Sequence, residues 1–249
     1  MKKHIPNIIT TINLICGCLA ISTAFDGHLY VSAYLIIIAS ACDFLDGMAA
    51  RLLKVSNALG EQLDSLSDMI SFGVAPGVIL YQFAKHLNTV NEIPLLSNHP
   101  WLFYIAFIIP VFSSFRLAKF NIDTEQTEGF IGLATPANAN FFIFIVIAYF
   151  YPDLPQLIPT KNILMPIISN PLIMLGLGVV FSFLLVANIP MFSLKVKSLK
   201  WKGNELRFTF LGLFILLLLL INIVAFSTIV LIYIIWSIIA NLGTKKQLN

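Results

Sequence analysis

Charged residues are scarce in this sequence. Only 11% of its 249 residues are charged and 58% are hydrophobic, whereas a typical soluble domain is about one-quarter charged. No polar stretch is long enough to form a second, soluble core, so residues 1–249 are predicted to be a single integral-membrane domain. The formal net charge of +3 is small and spread along the chain, which excludes nucleic acid as an expected partner.

Cysteine is equally scarce. The three cysteines, Cys16, Cys18 and Cys42, all lie in apolar stretches and show no CxxC or CxxH spacing. An odd count without such spacing argues against a disulfide framework and against a zinc site. Internal repeats of the inverted-transporter type are also absent from the sequence.

Long hydrophobic runs fill the chain instead. A bilayer core requires about 20 apolar residues per helix, and this rule predicts an all-α bundle of about eight transmembrane helices. The first is expected to be retained rather than cleaved as a signal peptide. We expect residues 1–150 to form the catalytic core and 171–241 the C-terminal helices, with a proline-rich loop at 152–170. The predicted spans are 8–24, 31–53, 60–84, 101–120, 136–151, 171–188, 207–222 and 225–241.

Positive charge predicts the orientation of these spans. With the N-terminus in the cytoplasm, thirteen of the 15 lysines and arginines lie at cytoplasmic ends and only Lys85 and Lys161 lie on the other side. Positive residues concentrate on the cytoplasmic side of membrane proteins. Both termini are therefore predicted to be cytoplasmic, in a bacterial inner membrane. The thirteen are Lys2, Lys3, Arg51, Lys54, Arg116, Lys119, Lys195, Lys197, Lys200, Lys202, Arg207, Lys245 and Lys246.

Four aspartates stand inside the second and third predicted spans. Ionisable groups within a bilayer are costly, so they are candidates for function. Asp43 and Asp46 lie three residues apart, and Asp64 and Asp68 lie four apart, so each pair occupies one helix face. A short turn joins the two helices, which predicts that both pairs converge near the cytoplasmic end.

Four converging carboxylates would repel one another unless a cation neutralised them. Oxygen ligands in this number suit Mg²⁺ or Mn²⁺, with Ca²⁺ also admitted, rather than zinc. Gly47, Ala50 and Gly60 have no side chain or only a methyl group, so they leave space on the same surface for a bound ligand. Arg51 is placed to pair with phosphate.

The aspartates are part of a longer motif. Residues 43–68 read DFLDGMAARLLKVSNALGEQLDSLSD, which has the pattern D-x2-D-G-x2-A-R-x8-G-x3-D-x3-D. This resembles the signature of the CDP-alcohol phosphatidyltransferases at all eight fixed positions. Four further segments resemble the phosphatidylserine synthase branch of that family. They are PNIIT at 6–10, SFGVAP at 71–76, RLAKFN at 116–121 and FIGLATPA at 130–137.

The resemblance implies roles for these residues in transferring a phosphatidyl group from CDP-diacylglycerol to L-serine. Asp43, Asp46, Asp64 and Asp68 would hold one or two divalent ions, and Asp68 would also act as the general base. The resemblance also implies a homodimer embedded among membrane lipids. Residues expected at the nucleotide and its phosphates are Asn7, Thr10, Gly47, Ala50, Arg51 and Gly60.

Serine carries a carboxylate and therefore requires a cation beside the metal site. Arg116 and Lys119 lie three residues apart on one helix face, although Lys119 stands where many relatives would have arginine. Snorkelling of both side chains to the membrane interface is the alternative explanation. Polar contacts to the acceptor are expected from Ser71, Asn121 and Thr135.

Two other functions are compatible with these residues. In the first, the reaction is the same but the acceptor is glycerol 3-phosphate, an inositol phosphate or choline. In the second, the chain is a cation-coupled transporter that uses intramembrane aspartates as ligands.

Overall fold

The protein is almost entirely helical. The computed structural model describes residues 4–55, 58–122, 130–153, 155–191, 201 and 204–245. A π-helical turn, Met69–Val74, joins the helix Ala58–Asp68 to the helix Ala75–Asn91. A 3-10 segment, Pro100–Phe107, leads into the helix Ile108–Ile122. The α-helices are α1 Ile5–Phe25, α2 Leu29–Leu53, α3 Ala58–Asp68, α4 Ala75–Asn91, α5 Pro94–Asn98, α6 Ile108–Ile122, α7 Thr135–Phe150, α8 Lys161–Ile168, α9 Pro171–Val186, α10 Glu205–Ile221 and α11 Val224–Lys245.

Within the part of the chain that the structure describes, four continuous helices are long and apolar enough to cross a bilayer: Ile5–Phe25, Leu29–Leu53, Ala58–Asn91 and Pro100–Ile122. A fifth crossing is obtained if α8 and α9, bent by 80° at their junction, count as one broken span. The prediction of an all-α membrane protein is therefore confirmed, whereas the predicted number of eight transmembrane spans is not confirmed. The reason is length, because a 16-residue helix such as α7 extends only about 24 Å, short of the roughly 30 Å bilayer core.

Small residues bring α1 close to its neighbours. Ala20 and Ala24 of α1, and Ala33 and Ala39 of α2, are completely buried. Close approach through small side chains is the usual basis of helix packing in membranes, where lipid is as apolar as the protein. At Gly17 the fit is tighter still, since an added Cβ would lie 2.9 Å from the Cα of Ser71. As a result, α1 is held against both α2 and the α3–α4 helix.

A two-stranded antiparallel sheet ties the middle of the chain to the end of α9. Strand β1, Phe130–Ile131, pairs antiparallel with β2, Pro190–Met191. This sheet joins the segment that precedes α7 to the segment that follows α9. The proline-rich region predicted as a loop contains α8, with Pro166 inside it.

Candidate active site

Three carboxylates meet between α2 and α3. Asp43 of α2 and Asp64 and Asp68 of α3 each offer one oxygen, and these oxygens all lie within 4.8 Å of one another. Asp64 and Asp68 share a helix face because they are four residues apart, and the turn between the helices brings Asp43 opposite them. All three are partly buried, and Oδ1 of Asp64 is buried without a hydrogen-bond partner.

The fourth aspartate, Asp46, lies beside this cluster. Its carboxylate interacts electrostatically with those of Asp43, Asp64 and Asp68. Its Oδ2 accepts a hydrogen bond of 2.6 Å from the hydroxyl of Thr10 on α1. The structure therefore brings all four predicted carboxylates together. Asp43, Asp64 and Asp68 form the closest group, and Asp46 lies beside it.

The chemistry of this cluster fits a divalent cation. The donors are all carboxylate oxygens, which suit Mg²⁺, Mn²⁺ and Ca²⁺. Carboxylates so close together repel one another strongly unless a positive charge stands between them. The buried, unpaired Oδ1 of Asp64 is an acceptor that a metal ion would satisfy.

Helix α1 holds two of the carboxylates in place. Besides the Thr10–Asp46 bond, Nδ2 of Asn13 donates to Oδ1 of Asp68 at 3.3 Å. The backbone oxygen of Asn13 accepts a hydrogen bond from the hydroxyl of Ser71 at 2.9 Å. The sequence prediction missed Asn13, although Asn7, Thr10 and Asn13 recur every three residues along a mainly apolar helix.

A first pocket, of about 170 Å³, opens beside Asp46 and Asp64. At Gly47 an added Cβ would meet nothing within 4 Å, so the glycine leaves open space. Pro6, Val55 and Glu61 also line this pocket and were not predicted. Of the six residues expected at the nucleotide, five line it: Asn7, Thr10, Gly47, Ala50 and Gly60.

The sixth residue, Arg51, is exposed and lies outside the set that lines this pocket. It lies four residues after Gly47 in α2, so it is displaced by only about 40° around the helix axis from that pocket residue. The expectation that Arg51 pairs with phosphate stays a prediction.

A second pocket, of about 140 Å³, also adjoins Asp64. Asp64, Asp68, Arg116 and Thr135 all line it. Its wall includes the first residues of α7, where the partial positive charge of the helix N-terminus favours an anion. Asp64 is thus shared by both pockets, and Asp68 faces the second.

Arg116 also lines a larger cavity of about 300 Å³ that includes Lys119 and Asn188. Although charged, Arg116 is only 5% exposed. Its Nε donates to the backbone oxygen of Leu133 at 3.3 Å, and its guanidinium carbon lies 5.6 Å from the centre of the Phe120 ring. This burial is contrary to the snorkelling alternative for Arg116, whereas Lys119 is exposed.

The three remaining acceptor candidates lie in different surroundings. Thr135 is buried and faces the second pocket. Asn121 is exposed, and its Oδ1 accepts a hydrogen bond from Ser65. Ser71 is completely buried against α1, so it packs against that helix and lines neither of the two pockets.

Several known proteins are similar to this chain in sequence. A CDP-diacylglycerol–serine O-phosphatidyltransferase of Bacillus subtilis is 34% identical over 147 residues, covering 59% of this chain and 77% of the relative. One from Helicobacter pylori J99 is 29% identical over 244 residues, covering 94% and 89%. An archaetidylserine synthase of Methanothermobacter thermautotrophicus is 30% identical over 152 residues, covering 60% of each chain.

The match to a family is equally extensive. Residues 3–183 match the CDP-alcohol phosphatidyltransferase family, and these residues contain the four aspartates, both pockets and Arg116. The resemblance inferred from the motif is confirmed. Together with its apolar helices, this match shows that the chain is an integral-membrane enzyme belonging to the CDP-alcohol phosphatidyltransferase family.

Proposed function

We propose that the protein transfers the phosphatidyl group of CDP-diacylglycerol to the hydroxyl of L-serine. The serine oxygen forms a bond to the phosphorus that carries the diacylglycerol, and the bond from that phosphorus to CMP breaks. The hydroxyl proton passes to a base on the protein, and the products are phosphatidylserine and CMP. The names of the relatives support serine as the acceptor.

The observation that carries this proposal is the carboxylate cluster between two pockets. Asp64 lines both, so a ligand in each would meet at the carboxylates. We assign the first pocket to the cytidine nucleotide and the second to serine. An attacking hydroxyl and a leaving nucleotide must approach phosphorus from opposite sides, which two pockets separated by Asp64 allow.

Asp43, Asp64 and Asp68 would hold one divalent ion, and Asp46 is close enough to contribute to a second. We propose Mg²⁺ or Mn²⁺, with Ca²⁺ as a third candidate. When bound, such an ion neutralises charge on the phosphates and on the departing CMP. Two of the aspartates, Asp46 and Asp68, are held by hydrogen bonds from α1 and so help to fix the orientation of the site.

Asp68 is the proposed general base. It lines the second pocket, where the serine hydroxyl would lie. The hydrogen bond from Asn13 occupies Oδ1 and fixes the carboxyl group, so that Oδ2 is available to accept a proton.

Arg116 is the proposed partner of the serine carboxylate. Its side chain is buried in the wall of the second pocket, which also includes the N-terminus of α7. A buried guanidinium binds a carboxylate strongly because water does not screen the charges. Thr135, at the start of α7, is placed to contact the same ligand. Lys119 faces only the adjoining larger cavity.

The assay that tests the reaction is CMP release by purified enzyme in detergent. CDP-diacylglycerol is supplied with serine, glycerol 3-phosphate, inositol phosphate or choline in turn, each with Mg²⁺, Mn²⁺ or Ca²⁺. Release that depends on serine supports the proposal. Release that proceeds only with another alcohol would refute serine as the acceptor.

A second experiment tests the serine pocket. Arg116→Ala is expected to raise the KM for serine while leaving the KM for the CDP-lipid nearly unchanged. The control is Lys161→Ala, which removes a cation whose partner is the exposed Asp153, at 2.6 Å. Equal changes in both KM values would count against the assignment.

One observation favours a second acceptor class. The cavity of about 300 Å³ beyond Arg116 adds Lys119 and Asn188, which offer room and charge for a phosphorylated alcohol such as glycerol 3-phosphate or an inositol phosphate. The acceptor series above distinguishes these from serine. The transporter hypothesis is not retained, because the family is one of phosphatidyltransferases.

We also propose the following setting for the enzyme. The positive charge of the sequence supports eight spans in a bacterial inner membrane, with both termini and the active site in the cytoplasm. On this proposal α7, α9 and α10, with 16 or 17 residues each, cross the bilayer by locally thinning it. Helix α11, with 22 residues, is long enough to cross without thinning. The family resemblance supports a homodimer, which light scattering of the detergent complex would test.

A further inference from the structure

The end of α9 is fastened to the segment that precedes α7. We call residues 184–191, which are the end of α9 and strand β2, the strap. The amide of Gly132 donates to the carbonyl of Ile189, and the amide of Leu133 donates to that of Leu184, both at 2.9 Å. The second bond satisfies a carbonyl that the last turn of a helix leaves without an intrahelical partner. The strap is therefore held by backbone hydrogen bonds as well as by the β1–β2 pairing.

Gly132 is the residue that makes this fastening possible. Its φ is +77°, a conformation that residues other than glycine adopt at a cost. A Cβ at this position would lie 2.5 Å from the carbonyl oxygen of Leu185 and 3.1 Å from that of Ala187. Both neighbours are backbone atoms of the strap, so they cannot rotate away as a side chain would.

The fastened segment reaches Arg116 directly. Leu133 is completely buried, and its carbonyl accepts the hydrogen bond from Nε of Arg116 at 3.3 Å. The amide and the carbonyl of Leu133 thus connect the strap on one side to the guanidinium on the other. Leu185, Val186 and Asn188 of the strap line the cavity that Arg116 also faces.

We propose that Gly132 and the strap are a positioning device for Arg116 and thereby set the affinity for the acceptor. This inference rests on the proposed function, because it takes Arg116 as the group that binds the serine carboxylate. Gly132 itself touches no substrate. It allows the strap to fix Leu133, and Leu133 fixes the guanidinium.

The first test is Gly132→Ala, assayed by CMP release with each substrate varied. A hydrogen bond to a charged group that is held out of position costs about tenfold or more in affinity, so we expect the serine KM to rise by that factor. The KM for the CDP-lipid should change by no more than about twofold, because the first pocket is untouched. An unchanged serine KM, or equal rises in both KM values, would overturn the proposal.

Two glycines of α9 provide matched controls. At Gly176 an added Cβ would meet nothing within 4 Å, whereas at Gly178 it would lie 2.7 Å from Cδ2 of Leu80 on α4. Gly176→Ala should behave as wild type. Gly178→Ala disturbs the packing of α9 without touching the strap, so a rise in serine KM there equal to that of Gly132→Ala would refute specific positioning.

A double-mutant cycle separates this proposal from the proposed function. If the strap acts through Arg116, Gly132→Ala should raise the serine KM no further in an Arg116→Ala background. Additive effects would refute the strap while leaving Arg116 as the carboxylate partner. An Arg116→Ala variant with normal serine KM would instead refute the acceptor assignment itself.

Hydrogen exchange on the unmodified enzyme decides the question if Gly132→Ala does not fold. Binding at Arg116 and order in the strap are reciprocally linked if the proposal holds. Serine added with CMP should therefore slow exchange in peptides covering 130–135 and 184–191, but not in those covering α10. Unchanged exchange in both segments would overturn the inference.

Discussion

Replacing Thr10 by valine isolates one hydrogen bond at the edge of the active site. The Thr10 hydroxyl lies 2.6 Å from Oδ2 of Asp46 and 3.0 Å from the carbonyl oxygen of Pro6. It has a single proton, and the shorter contact to a carboxylate takes precedence because charge-assisted bonds are stronger. Valine keeps the volume and the second branch at Cβ but cannot donate.

The size of the effect follows from that geometry. A hydrogen bond to a charged group contributes about 1.5–3 kcal/mol, and 1.4 kcal/mol corresponds to tenfold in affinity. Because Asp46 lines the first pocket, we expect the KM for the CDP-lipid to rise by about 10- to 100-fold. The serine KM should be little changed. Both constants are measured by CMP release at saturating metal.

The neighbouring threonine supplies the control. The Thr11 hydroxyl donates at 2.7 Å to the backbone carbonyl of Asn7, four residues earlier and on the exposed side of α1. Thr11→Val makes the same chemical change without touching a carboxylate, so it should leave both KM values near those of the wild type. If Thr10→Val and Thr11→Val behaved alike, the contribution of α1 to the site would be refuted.

Three further predictions concern the base, the metal and the packing of α1. Asp68→Asn should lower kcat by about 10²- to 10⁴-fold, the range for loss of a general base, and near-normal turnover with Mg²⁺ or Mn²⁺ would show that Asp68 is not the base. Removal of divalent ions with a chelator should abolish CMP release and added Mn²⁺ should restore it, so full activity in the chelator would exclude a metal requirement. Gly17→Ala should destabilise the fold by about 1–3 kcal/mol through overpacking against Ser71, seen as a lower thermal midpoint than that of Gly176→Ala, and equal midpoints would contradict the close packing of α1.

The carboxylate cluster was predictable because it depends on local geometry. The spacing of Asp64 and Asp68 fixes their shared face wherever the helix lies, and a short turn leaves α2 and α3 few alternatives to lying side by side. The aspartates and the pocket beside them therefore followed from helix periodicity and residue size.

The supporting groups depend on tertiary packing and were not predictable in the same way. Asn13 reaches Asp68 only because Gly17 allows α1 to approach the α3–α4 helix. The partner of Arg116 is a backbone carbonyl, that of Leu133, and no side-chain pattern reports it. Ser71 was expected to contact the acceptor, but α1 packs against it, and its hydroxyl donates to the backbone oxygen of Asn13 instead. Helix periodicity in the sequence predicts the face on which a side chain lies, but it does not predict which other helix packs over that face.

The position of Asp64 explains why a single displacement is the mechanism to expect of this site. A covalent intermediate would allow one pocket to serve both substrates in turn, since the nucleotide could depart before the acceptor arrived. Here two pockets share one carboxylate, that of Asp64, which permits both ligands to be bound together. On the proposed assignment, the acceptor pocket is built from α6 and α7 and the nucleotide pocket from α1, α2 and α3. The elements that recognise the alcohol are thus separate from those that recognise CDP, and the acceptor can change without altering the four aspartates that both halves share.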